Sequence, residues 1–125
     1  AEPKVKESQV RNELESIPTQ SHLTLYSLLL LERQDQLPAK SSEIYDVYEI
    51  IAERADASVK TARTIRDRLS QLKLKGFLDT EEYNEGSQGG SYYLYEFGDI
   101  RPDVVEEVLQ SVDRLEELFH ADDTP

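Results

Sequence analysis

Cysteine is absent from the 125 residues of the chain. That excludes a disulfide framework, a thiolate zinc site and a cysteine nucleophile. Long apolar runs are missing as well. The longest uninterrupted aliphatic stretch is Leu28–Leu31, far short of the roughly 20 residues needed to span a bilayer. The opening "AEPKVKESQV" lacks the apolar region of a signal peptide. Together these read as a soluble, cytoplasmic chain with no membrane partner.

Catalytic signatures are equally scarce. No G-x-x-x-x-G-K-[ST] run is present, so no nucleotide hydrolysis is expected of this chain. His22 and His120 are isolated, and there is no H-E-x-x-H pair to hold a metal. Adjacent acids such as Glu81–Glu82, Glu106–Glu107 and Glu116–Glu117 diverge in a regular element, and read as surface carboxylates. The expectation is a non-enzyme with no cofactor and no metal of its own.

Acid is what the chain has in excess: 26 Asp and Glu against 14 Lys and Arg, a net charge of −12. An acidic disordered tail is one reading, which the periodicities below oppose. Repulsion of nucleic acid is a second. The third is a surface solvated for a multimolar-salt cytoplasm, where the Debye length shrinks to about 3 Å or less and net charge steers little. This third reading fits best and makes net charge a poor guide to partners.

Residues 4–17 read as a short helix closed by Pro18, with Val10, Leu14 and Ile17 on one side. Thr19 or Ser21 is then an N-cap for "SHLTLYSLLLLERQ" (21–34), apolar almost all round and so a central buried helix. "DQLPAKSS" reads as a loop. Ser41 or Ser42 caps a helix reaching Ala55, with Ile44, Val47, Tyr48, Ile51 and Ala55 as its stripe. Ser58 caps a helix from Val59 to Lys75, with Ala62, Ile65, Leu69 and Leu72 facing the core and Gly76 ending it. "FLDTEEY" (77–83) and "SYYLYEF" (91–97) flank the Gly-rich turn "NEGSQGG", which predicts a β-hairpin. Tyr93 and Tyr95 share a strand face and are expected to pack on the helices. Pro102 opens a last helix through 119, with Val105, Val108, Leu109, Val112, Leu115, Leu118 and Phe119 as its stripe.

The predicted fold is mainly α with a small β-hairpin. Three helices followed by a two-stranded ribbon give a winged helix-turn-helix, flanked by N- and C-terminal helices. The organisation expected is a linker helix at 1–17, the winged-helix domain at 18–98, and a C-terminal helix and tail at 99–125.

"SVKTARTIRDRLSQLKLK" (58–75) carries six of the fourteen basic residues and one acid, Asp67, a net of +5 in an acidic chain. On a helix, Lys60, Arg63, Thr64, Asp67, Ser70 and Gln71 fall opposite the apolar row, with Arg66 and Arg68 on its flanks. Arg, Gln, Thr and Ser are the types that read base edges in the major groove and grip phosphates. A merely solvated face is the plain alternative. Net +5 on a surface otherwise kept acidic favours phosphate contact. The hairpin is different. Gly86, Ser87, Gln88, Gly89 and Gly90 suit a mobile tip entering a minor groove. Yet residues 76–98 hold five acids and no Lys or Arg, and Glu85 should repel phosphate.

"IPTQSHLTLYSLLLL" (17–31), "SEIYDVYEIIAE", "TARTIRDRLSQLKLKGFL" and "GSQGGSYYLYEF" resemble the C-terminal winged-helix domain of archaeal replication initiators, the origin-recognition-complex/cell-division-control protein 6 family. The resemblance covers about residues 17–98. It implies that an AAA+ ATPase using ATP and Mg lies upstream, and that residues 1–16 are the last helix of its lid. It implies double-stranded origin DNA as the partner, with the third helix in the major groove and the wing in the minor groove. By position, Lys60, Thr61, Arg63, Thr64 and Arg66 would be the recognition-helix contacts, and Gly86–Gly90 the wing tip. Replicative helicase or another initiator is a further implied partner, and the fragment alone would be monomeric.

Two other functions remain open from the residues. One is a protein-interaction module using the acidic wing and the 102–119 helix. The other is a winged-helix transcription regulator that dimerises through the stripe of that helix.

Overall fold

The structure, a computed structural model, describes residues 2–84 and 91–111, with side chains placed for 9–83 and 92–111. The elements run α1 (Glu2–Ser16), α2 (Thr19–Arg33), β1 (Ala39–Lys40), α3 (Ser41–Arg54), α4 (Ala62–Leu74), β2 (Leu78–Asn84), β3 (Ser91–Phe97) and α5 (Pro102–Gln110). It is the mainly helical, winged helix-turn-helix fold expected of the sequence.

α2 is the axle. Its residues from Ser21 to Leu29, and Leu31, are buried, because α3, α4 and α5 pack around it. Two of its buried polar side chains are satisfied within the helix: Thr24 donates to the Gln20 backbone carbonyl and Ser27 to the Leu23 carbonyl, both at 2.8 Å. α1 closes on this bundle through buried Leu14, and Ile17 just after the helix is buried with it. The carbonyl of Leu14 accepts Nε2–H of buried His22, which ties the end of α1 to α2.

α4 buries Ile65, Leu69 and Leu72, the core row that its spacing predicts. Ala62 is exposed instead, as the first residue of the helix. The helix ends in a Schellman arrangement. Phe77 N–H reaches the Leu72 carbonyl at 3.0 Å, Gly76 N–H reaches Lys73 at 2.9 Å, and Gly76 takes φ +87°. This bend aims the chain into β2.

Three caps differ from expectation. Pro18, Lys40 and Thr61 occupy the N-cap positions, not Thr19 or Ser21, Ser41 or Ser42, and Ser58. At α3 the carboxylate of Glu43 accepts Lys40 N–H at 2.8 Å, the job a capping side chain would otherwise share.

The sheet is antiparallel in the order β1-β3-β2. β2 and β3 pair along their whole length, from Leu78–Phe97 to Asn84–Ser91. β1, within the stretch expected to be loop, adds two pairs, Ala39–Tyr95 and Lys40–Leu94. Tyr95 is buried as expected, but Tyr93 is about half exposed, because the helical layer ends before that row of the hairpin. α5 buries Val104, Val105, Val108 and Leu109 against the bundle. That part of the stripe is consumed inside the chain and is not free to form a dimer seam. Val112, Leu115, Leu118 and Phe119 lie outside the described residues.

Candidate nucleic-acid interface

α4 begins three residues later than its sequence pattern suggests. Thr61 Oγ1 accepts the Thr64 N–H at 3.2 Å, and Thr61 is extended (φ −73°, ψ 162°). Residues 58–60 are therefore a lead-in, and they are pinned from behind. Tyr48 accepts Lys60 N–H at 2.8 Å, Tyr45 donates to the Lys60 carbonyl at 2.7 Å, and Gln20 Nε2 donates to the Ser58 carbonyl at 3.1 Å. Tyr48 in turn donates to Gln20 Oε1. These three residues escaped the sequence reading as positioning groups: Tyr48 reads there only as part of the apolar stripe of its helix, and Tyr45 and Gln20 are given no role. The fixed lead-in sets the rotation of α4 and so which face it shows.

That face carries Arg63, Arg66, Ser70 and Gln71, all exposed, with Thr64 half-buried and Lys60 and Thr61 exposed just before the helix. Thr61 and Thr64 are partly spent on each other, their hydroxyls 3.1 Å apart. Gln71 Oε1 accepts Arg68 Nη1 at 2.9 Å, which leaves the Gln71 amide N–H₂ outward. Arg63, Thr64, Arg66, Ser70 and Gln71 thus lie along one side of α4, with the exposed acid Asp67 among them.

Among the described residues, no carboxylate lies within ion-pairing distance of Lys60, Arg63, Arg66, Arg68 or Lys73. The ion pairs are elsewhere. Arg11 meets Glu107, Arg33 meets Glu106, Arg101 meets Asp103, and Lys75 at the end of α4 lies 3.9 Å from Glu13 of α1. Charge is neutralised around α1, α2 and α5 and left open on α4. Open cations raise the local potential that an incoming phosphate would meet.

The hairpin contributes aromatic rather than cationic surface. Tyr83 and Tyr92 stack across the strands with centroids 5.8 Å apart, and Lys73 Nζ lies 5.9 Å from the Tyr93 centroid. Gly86, Ser87, Gln88, Gly89 and Gly90, the expected wing tip, lie outside the described residues. No cluster of potential metal ligands occurs among the described residues, and no helix there is long and apolar enough to cross a membrane.

A helix-turn-helix with a hairpin behind an open basic helix defines the class: a winged-helix domain. A family model described as "CDC6, C terminal winged helix domain" matches residues 12–108. The chain belongs to that family. It is 60% identical over 120 residues to ORC1-type DNA replication protein 1 of Haloarcula marismortui, covering 96% of this chain and 28% of that protein. It is 29% identical over 89 residues to the ORC1-type DNA replication protein of Pyrococcus horikoshii, covering 71% of this chain and 21% of that one. The chain therefore spans about a quarter of the length of these relatives. Among solved structures, the Aeropyrum pernix ORC1 protein in complex with DNA superposes with a TM-score of 0.82 at 22% identity, covering 93% of this chain and 30% of that one. Cdc6p from Pyrobaculum aerophilum gives a TM-score of 0.67 at 17% identity, over 86% of this chain and 26% of that one. Both likenesses concern the fold.

Proposed function

We propose that this chain is the duplex-DNA-binding module of a replication initiator, and that it acts by laying α4 in the major groove of origin DNA. The observation that carries the reading is the basic face of α4, exposed and without carboxylate partners in a chain of net charge −12. Lys60 and Arg63 lie nearest the start of the helix, where recognition helices approach base edges. Arg63 is assigned to a base edge, Lys60 and Arg66 to phosphate, and Ser70 and Gln71 to the far end of the contact. The Aeropyrum pernix ORC1 protein, which shares this fold, is bound to DNA in its solved structure, and that supports the same assignment. The upstream ATPase with its ATP and Mg, and the recruitment of helicase or a second initiator, belong to the longer protein of which this would be the C-terminal part. The module itself performs no catalysis and works as a monomer.

Fluorescence anisotropy with duplex DNA at matched salt tests the assignment. Arg63→Ala is expected to weaken binding by about ten-fold or more. Glu82→Ala, on the exposed face of the hairpin, should leave it nearly unchanged or slightly tighter. Equal effects of the two substitutions would overturn the reading, and so would a wild-type chain that binds no duplex.

A further inference from the structure

Tyr95 is only 8% exposed, yet its hydroxyl meets no hydrogen-bond partner among the described residues. The hydroxyl is not sealed off, since the only fully buried side-chain nitrogen or oxygen left without a partner among the described residues is Arg68 Nε; Tyr95 keeps its oxygen open to solvent. Its ring lines a cleft of about 260 Å³ whose other walls are Lys40, Ser41 and Ser42, Arg66 of α4, and Tyr92 and Tyr93 of β3.

The cleft exists because β1 is so short. It pairs with β3 only opposite Tyr95 and Leu94, and the chain then turns directly into α3. Toward the tip, that edge of β3 has no neighbouring strand among the described residues, and the gap opens beside α4.

Its charge is one-sided. Neither Arg66 nor Lys40 has a carboxylate partner among the described residues. Lys40 Nζ rests 4.4 Å from the Tyr92 centroid, a cation–π contact that holds the ammonium beside the opening. Glu43, just inside α3, accepts the backbone N–H of Lys40 and does not line the cleft. Burial pushes the Tyr95 phenol above its ordinary pKa, and Arg66 lies close enough to oppose that push. The hydroxyls of Ser41 and Ser42 are also without partners among the described residues.

A guanidinium, an ammonium and several O–H donors around a small opening match an acceptor-rich anion that needs no proton donor of its own. Beside a helix laid in a major groove, the anions at this distance are backbone phosphates. We propose that this cleft grips one backbone phosphate of the duplex flanking α4, through the Tyr95 hydroxyl, Arg66 and Lys40, with Ser41 and Ser42 closing the site. The proposal rests on the DNA-binding reading above and deepens it. It supplies the hairpin side of the domain with the phosphate anchor that residues 76–98, lacking Lys and Arg, do not contain.

The test uses this chain and a duplex that it selects from a random-sequence pool. Phosphates around the α4 footprint are then replaced one at a time by uncharged methylphosphonate. Wild type is expected to lose affinity at one phosphate beside the footprint. Tyr95→Phe keeps the ring and its packing; it should weaken the unmodified duplex by about ten-fold and become indifferent to that one replacement. Lys40→Ala should show the same indifference and lower the slope of log K against log salt by about 1. Thermal melting followed by circular dichroism separates a lost contact from a lost fold, and exposed Lys40 keeps the test decisive if Tyr95→Phe melts early. Should both variants bind like wild type while Arg63→Ala binds weakly, the phosphate site falls and the DNA reading stands. Weaker binding with undiminished sensitivity to every methylphosphonate also overturns the site. If the pool yields no bound duplex, both readings fall together.

Discussion

The hydroxyl of Tyr48 accepts the backbone N–H of Lys60 at 2.8 Å from a side chain that is completely buried. The turn of the helix-turn-helix is therefore hung on a phenol from α3. Tyr48→Phe would leave Lys60 N–H without its acceptor and the side-chain Oε1 of Gln20 without its donor. The expected cost is about 1–3 kcal/mol of stability, read by urea denaturation. Duplex affinity should fall as well, because the lead-in to α4 loosens. Unchanged stability would mean that the turn does not depend on this contact.

Two hydroxyl residues compete for the start of α4, and only Thr61 caps it. Thr61→Ala should cost about 1 kcal/mol. Ser58 contributes its backbone carbonyl, which accepts from Gln20 Nε2, so Ser58→Ala should stay within about 0.5 kcal/mol. The two substitutions, compared in the same denaturation series, decide where the helix begins in solution.

The reading of α4 from sequence succeeded where one element decides the outcome and failed where two must meet. The 3.6-residue recurrence of Ile65, Leu69 and Leu72 is enough to orient the polar face, and the structure keeps that orientation. The start of the helix was not legible, because Ser58 and Thr61 are equally good caps until Tyr45 and Tyr48 immobilise the residues between them. β1 is two residues long, too short for any alternation to register. Strand periodicity places Tyr93 and Tyr95 on one face, but it carries no information about how far the helices extend beneath that face. The Lys40–Arg66–Tyr95 cleft joins three segments distant in sequence and left no local signal at all.

His22 links stability to pH. A carbonyl can only accept, so Nε2 of His22 carries the proton in its bond to Leu14, and the neutral ring suffices. Burial lowers its pKa from 6.5, partly opposed by that same bond. The unfolded chain thus takes up a proton near 6.5, while the folded chain does so only at lower pH. Below that point the unfolded state binds more protons, and stability falls as the pH drops through the folded value. His22→Gln keeps an N–H donor without titrating. Between about pH 7.5 and 5.5, wild type should lose more in melting temperature than His22→Gln, the carboxylates being common to both. Parallel curves would remove His22 as the sensor.

Gly76 and Gly98 meet at the root of the hairpin, and they should tolerate a methyl group very differently. Gly76 has φ +87° and open space where a Cβ would go, so Gly76→Ala carries backbone strain alone, about 1 kcal/mol. At Gly98 a Cβ would sit 3.0 Å from the Gly76 carbonyl oxygen and 3.2 Å from the Leu78 carbonyl carbon. That backbone cannot easily retreat. Gly98 N–H donates to Phe77 at 2.8 Å and Asp99 N–H to Gly76 at 3.2 Å, so the crowding would stretch the bonds that join the strands to the following turn. Overpacking of this kind costs about 1–3 kcal/mol, and Gly98→Ala should be the more damaging substitution. Because the new methyl presses on the carbonyl of Gly76 itself, the double variant should depart from the sum of the single costs by about 0.5 kcal/mol or more. Urea denaturation of the three variants supplies all the terms. Strict additivity, with Gly98→Ala as mild as Gly76→Ala, would mean that the hairpin root gives way to the methyl without loss.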